Sequence, residues 1–431
     1  MHANWLTDKH LNDKGKELRR RYEGYVSYLY EAGLKPYQVA RSLHQLQGIM
    51  YSTLEDGYAL PPHTINLCVN NVCNMKCSYC DLNNAKKRNI ADNTKSEYNI
   101  IDIKKKHELT LDVCKRIIDE VAWFRPTIRT PWMEPLLYKD LLPLIHYVKG
   151  KGLPFSMLTN GLLLPKFASA LVEAQVDAIR VSLDGPAAIH DKLCGVPGAY
   201  DVILRGLTQI ADARDRGECT TELGCYFTLN DTNCLHLVDF IEDLDSRGLL
   251  SRISVSFFLF NYISEELVRL HNENHADICN ARAEVTSAHL VDLKKIDIKA
   301  VVEQKKLIDR LVASRPGAKV FFRPAFTEEN LSFYLSEAGE YDPGARCDTA
   351  WHTLFVNPDG FIKALPQCIL PPVGNVHDGT FMDVWNGEQM REHRKLLKNH
   401  NSFFACSRCW SIYYNREDTQ GTWTHKNGCG A

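Results

Sequence analysis

Three cysteines lie close together in the segment NNVCNMKCSYCD, which spans residues 70–81. Cys73, Cys77 and Cys80 are separated by three and then two residues, so their thiolates can converge on one metal centre. Thiolates are the ligands that hold iron–sulfur clusters. A [4Fe–4S] cluster bound by three cysteines keeps one iron open to an outside ligand, whereas a structural zinc site is usually closed by a fourth protein ligand. The motif favours a cluster with an open iron.

With Tyr79 before its third cysteine, the same motif resembles the signature of the radical S-adenosylmethionine (SAM) superfamily. The resemblance implies a [4Fe–4S] cluster on Cys73, Cys77 and Cys80, with the open iron chelated by SAM, and it places Tyr79 among the cofactor-binding residues. It also implies reductive cleavage of SAM to a 5′-deoxyadenosyl radical that abstracts a hydrogen atom from the substrate. A flavodoxin- or ferredoxin-type electron donor is implied as a partner.

The segment WMEP, residues 132–135, follows the second expected strand. Radical SAM proteins usually have GGEP here, and its backbone groups and carboxylate hold the amino group of the SAM methionine. Glu134 and Pro135 match this pattern, whereas Trp132 and Met133 depart from it. The resemblance implies that Glu134 and the backbone of Met133 bind SAM. The alternative is a surface loop with a chance Glu-Pro pair.

Two further polar side chains fall at expected strand ends, Asn160 in LTNG and Ser182 in VSLDG. Strand alternation places Arg180, Ser182 and Asp184 on the inward face of their strand, where polar groups need partners. A bound SAM ribose and carboxylate would supply them. The resemblance implies that Ser182 contacts SAM, and we assign Asn160 to the same cofactor site. An internal hydrogen-bond network without ligand is the alternative.

The next two strands present more polar groups to the inside. Alternation turns Glu222 and Tyr226 inward on one of them, and Ser254 and Ser256 on the other. These groups suit a hydroxylated substrate such as a sugar or aminocyclitol, although SAM itself uses some of them.

A single cysteine, Cys194, lies in HDKLCGVPGAYD after the fourth strand. Some radical SAM epimerases quench the substrate radical with a thiol from the opposite face. Cys194 is therefore a candidate catalytic hydrogen-atom donor, and the alternative is a loop cysteine without a role.

Four cysteines near the C-terminus, Cys347, Cys368, Cys406 and Cys409, are interleaved with NPDG and GNVHDGTFMDVWN. This pattern resembles the SPASM or twitch extension of radical SAM proteins, which holds auxiliary [4Fe–4S] clusters. Four ligands fit one fully coordinated auxiliary cluster, and Cys429 is left free. A structural zinc on the same four thiolates is the alternative.

Six alternations of strand and helix between residues 64 and 260 predict an α/β fold, a partial (β/α)6 parallel barrel with its site at the C-terminal strand ends. The expected domains are a helical N-terminal extension, the radical SAM partial barrel, a helical connector and a small cysteine-rich auxiliary-cluster domain. Their ranges are 1–60, 61–264, 265–345 and 346–431.

The composition is ordinary for a soluble globular protein. The chain has 431 residues, 45% hydrophobic and 24% charged, with a formal net charge of −2, so nothing draws it generally to nucleic acid or membrane. It has no long apolar run and no signal-peptide core at the N-terminus, and we expect a cytoplasmic protein. Its fifteen cysteines then indicate metal sites and buried thiols rather than disulfides.

These observations predict a radical SAM oxidoreductase or epimerase that acts on a small natural product. An auxiliary cluster that accepts an electron would give dehydrogenation, and a thiol donor such as Cys194 would give epimerisation. A peptide maturase is the second hypothesis, although residues 1–60 look short and helical for a leader-binding domain. A non-catalytic zinc or iron–sulfur scaffold is the third.

Overall fold

A computed structural model describes residues 13–34, 39, 42, 54–80, 105–366, 368–409, 411 and 412. The strands in these residues are β1 (Thr64–Leu67), β2 (Thr127–Thr130), β3 (Phe155–Thr159), β4 (Ala178–Ser182), β5 (Glu222–Leu229), β6 (Ser254–Leu259), β7 (Lys319–Arg323), β8 (Thr353–Val356), β9 (Phe361–Lys363) and β10 (Gly374–Asn375).

The α-helices described are α1 (Asp13–Glu31), α2 (Leu111–Val121), α3 (Leu141–Gly150), α4 (Leu164–Glu173), α5 (Ala187–Cys194), α6 (Ala199–Asp215), α7 (Leu237–Ser246), α8 (Glu265–Asn274), α9 (Ala276–Cys279), α10 (Ile298–Ala313), α11 (Glu328–Tyr334), α12 (Phe381–Trp385) and α13 (Glu388–His400). None of the helices in this part of the chain is long and apolar enough to cross a membrane.

All ten strands belong to one sheet with the order β10-β9-β8-β1-β2-β3-β4-β5-β6-β7. Strands β1 to β7 lie in chain order, and each is parallel to the next. Helical connections between parallel neighbours produce this arrangement. The predicted partial parallel barrel is confirmed, and it does not close, because β7 and β10 are the two outer strands.

Hydrophobic alternation fixes which face of the sheet is covered. In and just after β4, Ile179, Val181 and Leu183 are fully buried, as predicted, and the helices pack on that side. Helices α4 and α6 lie side by side there. Gly206 allows this close approach, because a Cβ at that position would lie 2.8 Å from Leu164 Cβ.

The structure corrects two sequence expectations. The segment that contains Cys194 was expected to be a loop, but it is helix α5, which ends at Cys194 with Gly195 in the left-handed conformation. The connector at 265–345 was expected to be helical, but it includes β7, parallel to β6. This strand is only five residues long and follows a long helix, so its pattern is inconspicuous.

The C-terminal region extends the sheet of the barrel. Strand β8 is parallel to β1 along its whole length, and β9 and β10 continue the sheet in antiparallel pairs. Buried Asn66 on β1 strengthens the junction by donating from Nδ2 to Thr353 Oγ1 at 2.7 Å. The backbone N–H of Cys68 also donates to the Val356 carbonyl. The strand that leads to the first cysteine motif is therefore held from both sides.

Candidate active site

The loop with the first three cysteines begins just after β1, at the C-terminal end of the parallel strands. All three thiols are half-buried. Burial raises the pKa of Cys77, and the nearby groups of Asp184, Cys80 and Cys73 raise it further. The three sulfur atoms therefore lie in one electrostatic neighbourhood, as ligands of one cluster must.

The end of strand β4 and the end of helix α5 anchor this loop. Tyr79 donates its hydroxyl hydrogen to Asp184 Oδ2 at 2.5 Å, just beyond the end of β4. The backbone N–H of Lys76 donates to the carbonyl of Cys194 at 3.1 Å, and that of Ser78 to the carbonyl of Leu193 at 2.9 Å. The last two carbonyls of α5 thus accept hydrogen bonds from backbone N–H groups of the cysteine loop.

Asp184 links the cysteine loop to the centre of the sheet. Its other carboxylate oxygen accepts the backbone N–H of Thr228 at 2.8 Å. Burial raises the pKa of Asp184 to about 6, and the hydrogen bonds from Tyr79 and Thr228 oppose that rise. The sequence placed Asp184 on the inward face but gave no sign that it binds Tyr79.

Glu134 is completely buried beside the cysteine loop. Its Oε1 accepts hydrogen bonds from the Leu136 backbone at 2.9 Å and from the Thr159 hydroxyl at 2.7 Å, and its Oε2 accepts one from the Asn160 backbone at 2.7 Å. Burial raises its pKa to about 7 despite these donors. A carboxylate offers about four acceptor positions, so one stays available for an ammonium group.

Asn160 joins Glu134 to the first cysteine. Its side-chain Nδ2 lies 2.7 Å from Asn74 Oδ1 and 3.5 Å from Cys73 Sγ. Ser182 ends β4 at the same height of the sheet, opposite Tyr226 on β5. The predicted SAM-binding side chains are thus distributed over consecutive strand ends around the cysteine loop.

Met133 has a left-handed backbone with φ of +53°, which is uncommon for a residue with a side chain. A second glycine stands at this place in the family pattern GGEP, and glycine adopts the conformation without strain. Met133 therefore keeps the backbone turn that presents Glu134, at a local conformational cost.

Exchanging Met133 for glycine should stabilise the chain relative to exchange for alanine. The left-handed conformation costs residues with a Cβ roughly 1 kcal/mol or more, so Met133→Gly should exceed Met133→Ala in free energy of unfolding by about that amount. Denaturant unfolding of both variants measures the difference. At a position with a right-handed or extended backbone, the alanine variant is more stable than the glycine variant. If Met133→Ala is the more stable of the two here, the inferred backbone strain at Met133 is refuted.

Near the C-terminus, Cys347, Cys368, Cys406 and Cys409 line a single cavity. Burial raises the pKa of each thiol, and the thiols of the group raise the pKa of Cys347 and Cys406 further through their proximity. Four mutually close thiols that resist ionisation without a cation fit an iron–sulfur cluster, whose irons would stabilise the thiolates. Cys429 lies outside the described residues.

A buried imidazole lines the same cavity. His393 Nε2 has no hydrogen-bond partner among the described residues. Burial, together with the positive charges of Arg394 and Lys363, lowers the pKa of His393 to about 3, so the ring is neutral. No sequence pattern marks this histidine, which lies on helix α13 away from the cysteine motifs.

A small apolar cluster packs against the second cysteine group. It contains buried side chains from the ends of β1 and β8 and from the loop after β9, with partly buried Trp132 and two cysteines of the second group packed against them. The members are Cys68, Phe355, Leu365, Trp132, Cys368 and Cys409. Trp132, where the family pattern has glycine, directly precedes Met133 and Glu134 and packs against the same cluster as Cys368 and Cys409.

No three His, Cys, Asp or Glu side chains in the described residues converge closely enough to hold a single metal ion. The three-thiol and four-thiol groups are therefore candidate cluster sites rather than single-ion sites. For both groups, the mutual effect of the thiols on their pKa values and the thiolate donor set fit iron–sulfur clusters.

Comparison with known families agrees with the fold and with these donor sets. Residues 67–241 match the radical SAM superfamily, and residues 347–410 match SPASM, an iron–sulfur cluster-binding domain. The chain therefore carries a radical SAM domain followed by a SPASM domain, which confirms the resemblance seen in its cysteine motifs. The two domains imply a SAM-binding [4Fe–4S] cluster, SAM itself and an auxiliary iron–sulfur cluster.

Relatives with different named activities match most of the chain. The Fe-coproporphyrin III synthase of Methanosarcina barkeri is 25% identical over 353 residues, 78% of this chain and 78% of that protein. The mycofactocin maturase MftC of Mycolicibacterium smegmatis is 25% identical over 352 residues, 78% of this chain and 72% of that protein. The crystal structure of Streptococcus suis SuiB bound to SAM has a TM-score of 0.52 at 15% identity, covering 86% of this chain and 77% of SuiB. That likeness reflects a shared fold.

Proposed function

We propose that this radical SAM enzyme abstracts a hydrogen atom from a small carboxylated molecule and oxidises it. When bound and reduced, the cluster on Cys73, Cys77 and Cys80 supplies the electron that cleaves SAM to methionine and the 5′-deoxyadenosyl radical. The observation that carries the proposal is the meeting of these cysteines with Glu134 and Asn160 at one edge of the sheet.

The chain contributes binding and orientation to this reaction. Glu134, with one acceptor position left, receives the ammonium group of the SAM methionine, and the backbone at Met133 lies beside it. Ser182 and Asn160 contact the rest of SAM. Tyr79 fixes the loop between the second and third cysteines through Asp184 rather than through SAM.

The substrate radical is resolved by oxidation in this proposal. The 5′-deoxyadenosyl radical takes a hydrogen atom from the substrate and becomes 5′-deoxyadenosine. A cluster held by Cys347, Cys368, Cys406 and Cys409 would then accept one electron from the substrate radical, which would release one proton to solvent. The net reaction removes two hydrogens from the substrate. A flavodoxin- or ferredoxin-type protein supplies the electron for SAM cleavage. Two of the auxiliary cysteines, Cys368 and Cys409, pack against the same apolar cluster as Trp132, which supports electron transfer to the second cysteine group.

Oxidation is favoured over epimerisation by the environment of Cys194. Its thiol is only 1% exposed and points to backbone carbonyls of its own helix end, Asp191 at 3.6 Å and Val196 at 3.8 Å. Its carbonyl meanwhile holds Lys76 in the cysteine loop. These contacts suit a positioning residue better than a thiol that approaches a substrate radical.

Replacing Cys194 with alanine should therefore preserve both SAM cleavage and the product, because the backbone carbonyl that binds the loop is retained. The measurements are 5′-deoxyadenosine formation and the mass and configuration of the product. If Cys194 is instead the hydrogen-atom donor, the wild-type product will have the mass of the substrate and an inverted centre, and the variant will lose that inversion.

An acid is a better substrate candidate than a sugar or aminocyclitol, because three of the four inward polar groups bond to the chain itself. Tyr226 hydrogen-bonds to Arg129. Glu222 pairs with Arg180 at 3.5 Å, and the Ser254 hydroxyl donates to the Leu223 carbonyl at 3.4 Å. A relative that matches over most of its length is named as a synthase of Fe-coproporphyrin III, so its named product is a tetrapyrrole with propionate side chains. We therefore place tetrapyrrole acids first among the substrates to test.

The test is anaerobic reconstitution with iron and sulfide, followed by reduction in the presence of SAM and carboxylated iron tetrapyrroles, Fe-coproporphyrin III among them. We expect about eight irons per chain for two [4Fe–4S] clusters, stimulated 5′-deoxyadenosine formation and a tetrapyrrole product lighter than its substrate. A count of about four irons per chain would mean that the second cysteine group holds zinc or no metal. A product of unchanged mass would refute oxidation.

The match to the mycofactocin maturase favours peptide modification as a second candidate function. Removal of residues 1–53 separates the two candidates. A maturase that recognises its peptide through the N-terminal extension would lose peptide binding, whereas conversion of a small molecule in the barrel would continue.

A further inference from the structure

Three arginines occupy inward-facing positions of the sheet on β2, β4 and β7. Arg129 alternates with buried Ile128 and Thr130, and Arg180 alternates with buried Ile179 and Val181. Arg323 lies beside Phe258 in the register of β6 and β7. The side chains of all three are close enough to act on one group, the hydroxyl of Tyr226 on β5, and the Arg129 side chain hydrogen-bonds to it.

The sheet makes room for this arrangement. The Cδ of Arg180 would lie only 3.0 Å from a Cβ at position 224, so Gly224 on β5 allows the arginine to cross the inner face. Arg180 also donates to the backbone carbonyl of Glu222 at 3.0 Å, and its guanidinium lies 3.5 Å from the Glu222 carboxylate. One of the three positive charges is therefore partly offset within the chain.

The field at Tyr226 is nevertheless positive. Burial alone would raise the pKa of the phenol, but Arg129, Arg180 and Arg323 together lower it below its ordinary value. A positive field among partly buried side chains attracts anions, because few waters are present to screen it.

This positive region lies next to the SAM site. Tyr226 is paired with Ser182, and two residues further along β5 Thr228 donates to Asp184, which anchors the cysteine loop. Thr228 is in turn paired with Phe258, the neighbour of Arg323. An anion bound here would sit beside SAM, towards the β5–β7 side of the sheet.

We propose that Arg129, Arg180 and Arg323 form an anion subsite that binds a carboxylate of the substrate and so orients its reacting carbon towards SAM. Guanidinium groups bind carboxylates through paired hydrogen bonds, which fix direction as well as position. This subsite deepens the proposed function and rests on it. The carboxylate of the SAM methionine is the other possible source of the anion, and the experiment separates the two.

The variants are Arg129→Gln and Arg323→Gln, which remove one inward charge each and leave the Arg180–Glu222 pair intact. Arg315→Gln is the matched control, because Arg315 is half exposed and binds Asp245 on the outer surface. The protein is the reconstituted full chain. The probes are Fe-coproporphyrin III, its tetramethyl ester without carboxylates, and glutarate as a simple dicarboxylate, with SAM affinity measured in parallel.

We expect wild type and Arg315→Gln to bind the tetrapyrrole acid at least about tenfold more tightly than the ester, the effect of one good charged contact. Arg129→Gln and Arg323→Gln should lose that preference while ester and SAM affinities stay unchanged, which also shows that they are folded. A third outcome is that glutarate binds in a way that depends on the same arginines while the tetrapyrrole does not bind. This outcome supports the subsite and excludes tetrapyrroles as the substrate class.

Three results would overturn the subsite. In the first, wild type binds the acid and the ester equally well. In the second, both variants bind the acid and glutarate as tightly as wild type does. In the third, wild type binds none of the probes. Weakened SAM binding in the variants with no effect on the probes would assign the arginines to the SAM carboxylate and overturn the substrate role. Absence of 5′-deoxyadenosine from wild type, by contrast, counts against the proposed function alone.

Discussion

Cys77→Ala should lose about four of the irons in the reconstituted chain and should form no 5′-deoxyadenosine, because one of the three thiolates that hold the SAM-binding cluster is gone. Cys73→Ala and Cys80→Ala should behave in the same way. The effect is expected to be nearly complete, since two thiolates and an exchangeable ligand leave more than one iron unprotected. Iron analysis and chromatography of the reduced reaction measure both quantities.

Cys219→Ala is the matched control for this experiment. Cys219 is also buried, but it lies outside both cysteine groups, and its loss should leave iron and SAM cleavage unchanged. Retained cleavage in any one of the three loop variants would falsify the assignment of that cysteine as a ligand.

The double variant Cys406→Ala/Cys409→Ala should separate SAM cleavage from product formation. About four irons should be lost, because two of the four ligands in the C-terminal cavity are missing, while the loop cluster is retained. We expect 5′-deoxyadenosine to form still, and the oxidised product to fall below detection, since the substrate radical has lost its electron acceptor. Electron paramagnetic resonance of the reduced protein should show one cluster signal in place of two.

Cys279→Ala provides a control close to the same cavity. Its thiol is buried near Cys368 but does not line the cavity, and it hydrogen-bonds to the His275 carbonyl. It should therefore keep both signals and the product. Full product formation by the double variant would show that the second cysteine group is not the electron acceptor.

The parallel core could be predicted because its signals are local. Alternation in AIRVS predicts the inward face of β4, and the intervening Ile179 and Val181 are buried in the structure. The cysteine motif and the Glu-Pro pair are short stretches, so their family resemblance is visible without knowing how the chain folds.

Features that depend on distant pairing were missed. Strand β7 and the inward position of Arg323 follow from pairing with β6, some sixty residues earlier in the chain, and no local pattern marks them. The bond from Tyr79 to Asp184 joins residues that are 105 positions apart. His393 lines the second cavity from a helix whose sequence is mostly polar. Each contact arises from tertiary packing, which overrides local sequence preference.

The position of β8 beside β1 affects how shortened forms of the chain would behave in solution. In the full chain β8 covers the open side of β1, and Trp385 and Arg394 from the C-terminal region donate to the carbonyls of Leu60 and Gly57 just before β1. A fragment ending before Thr353 would leave β1 with a bare row of backbone donors and acceptors, a template for edge-to-edge aggregation. The auxiliary region thus also protects the barrel from self-association, and a barrel expressed alone should be poorly recoverable.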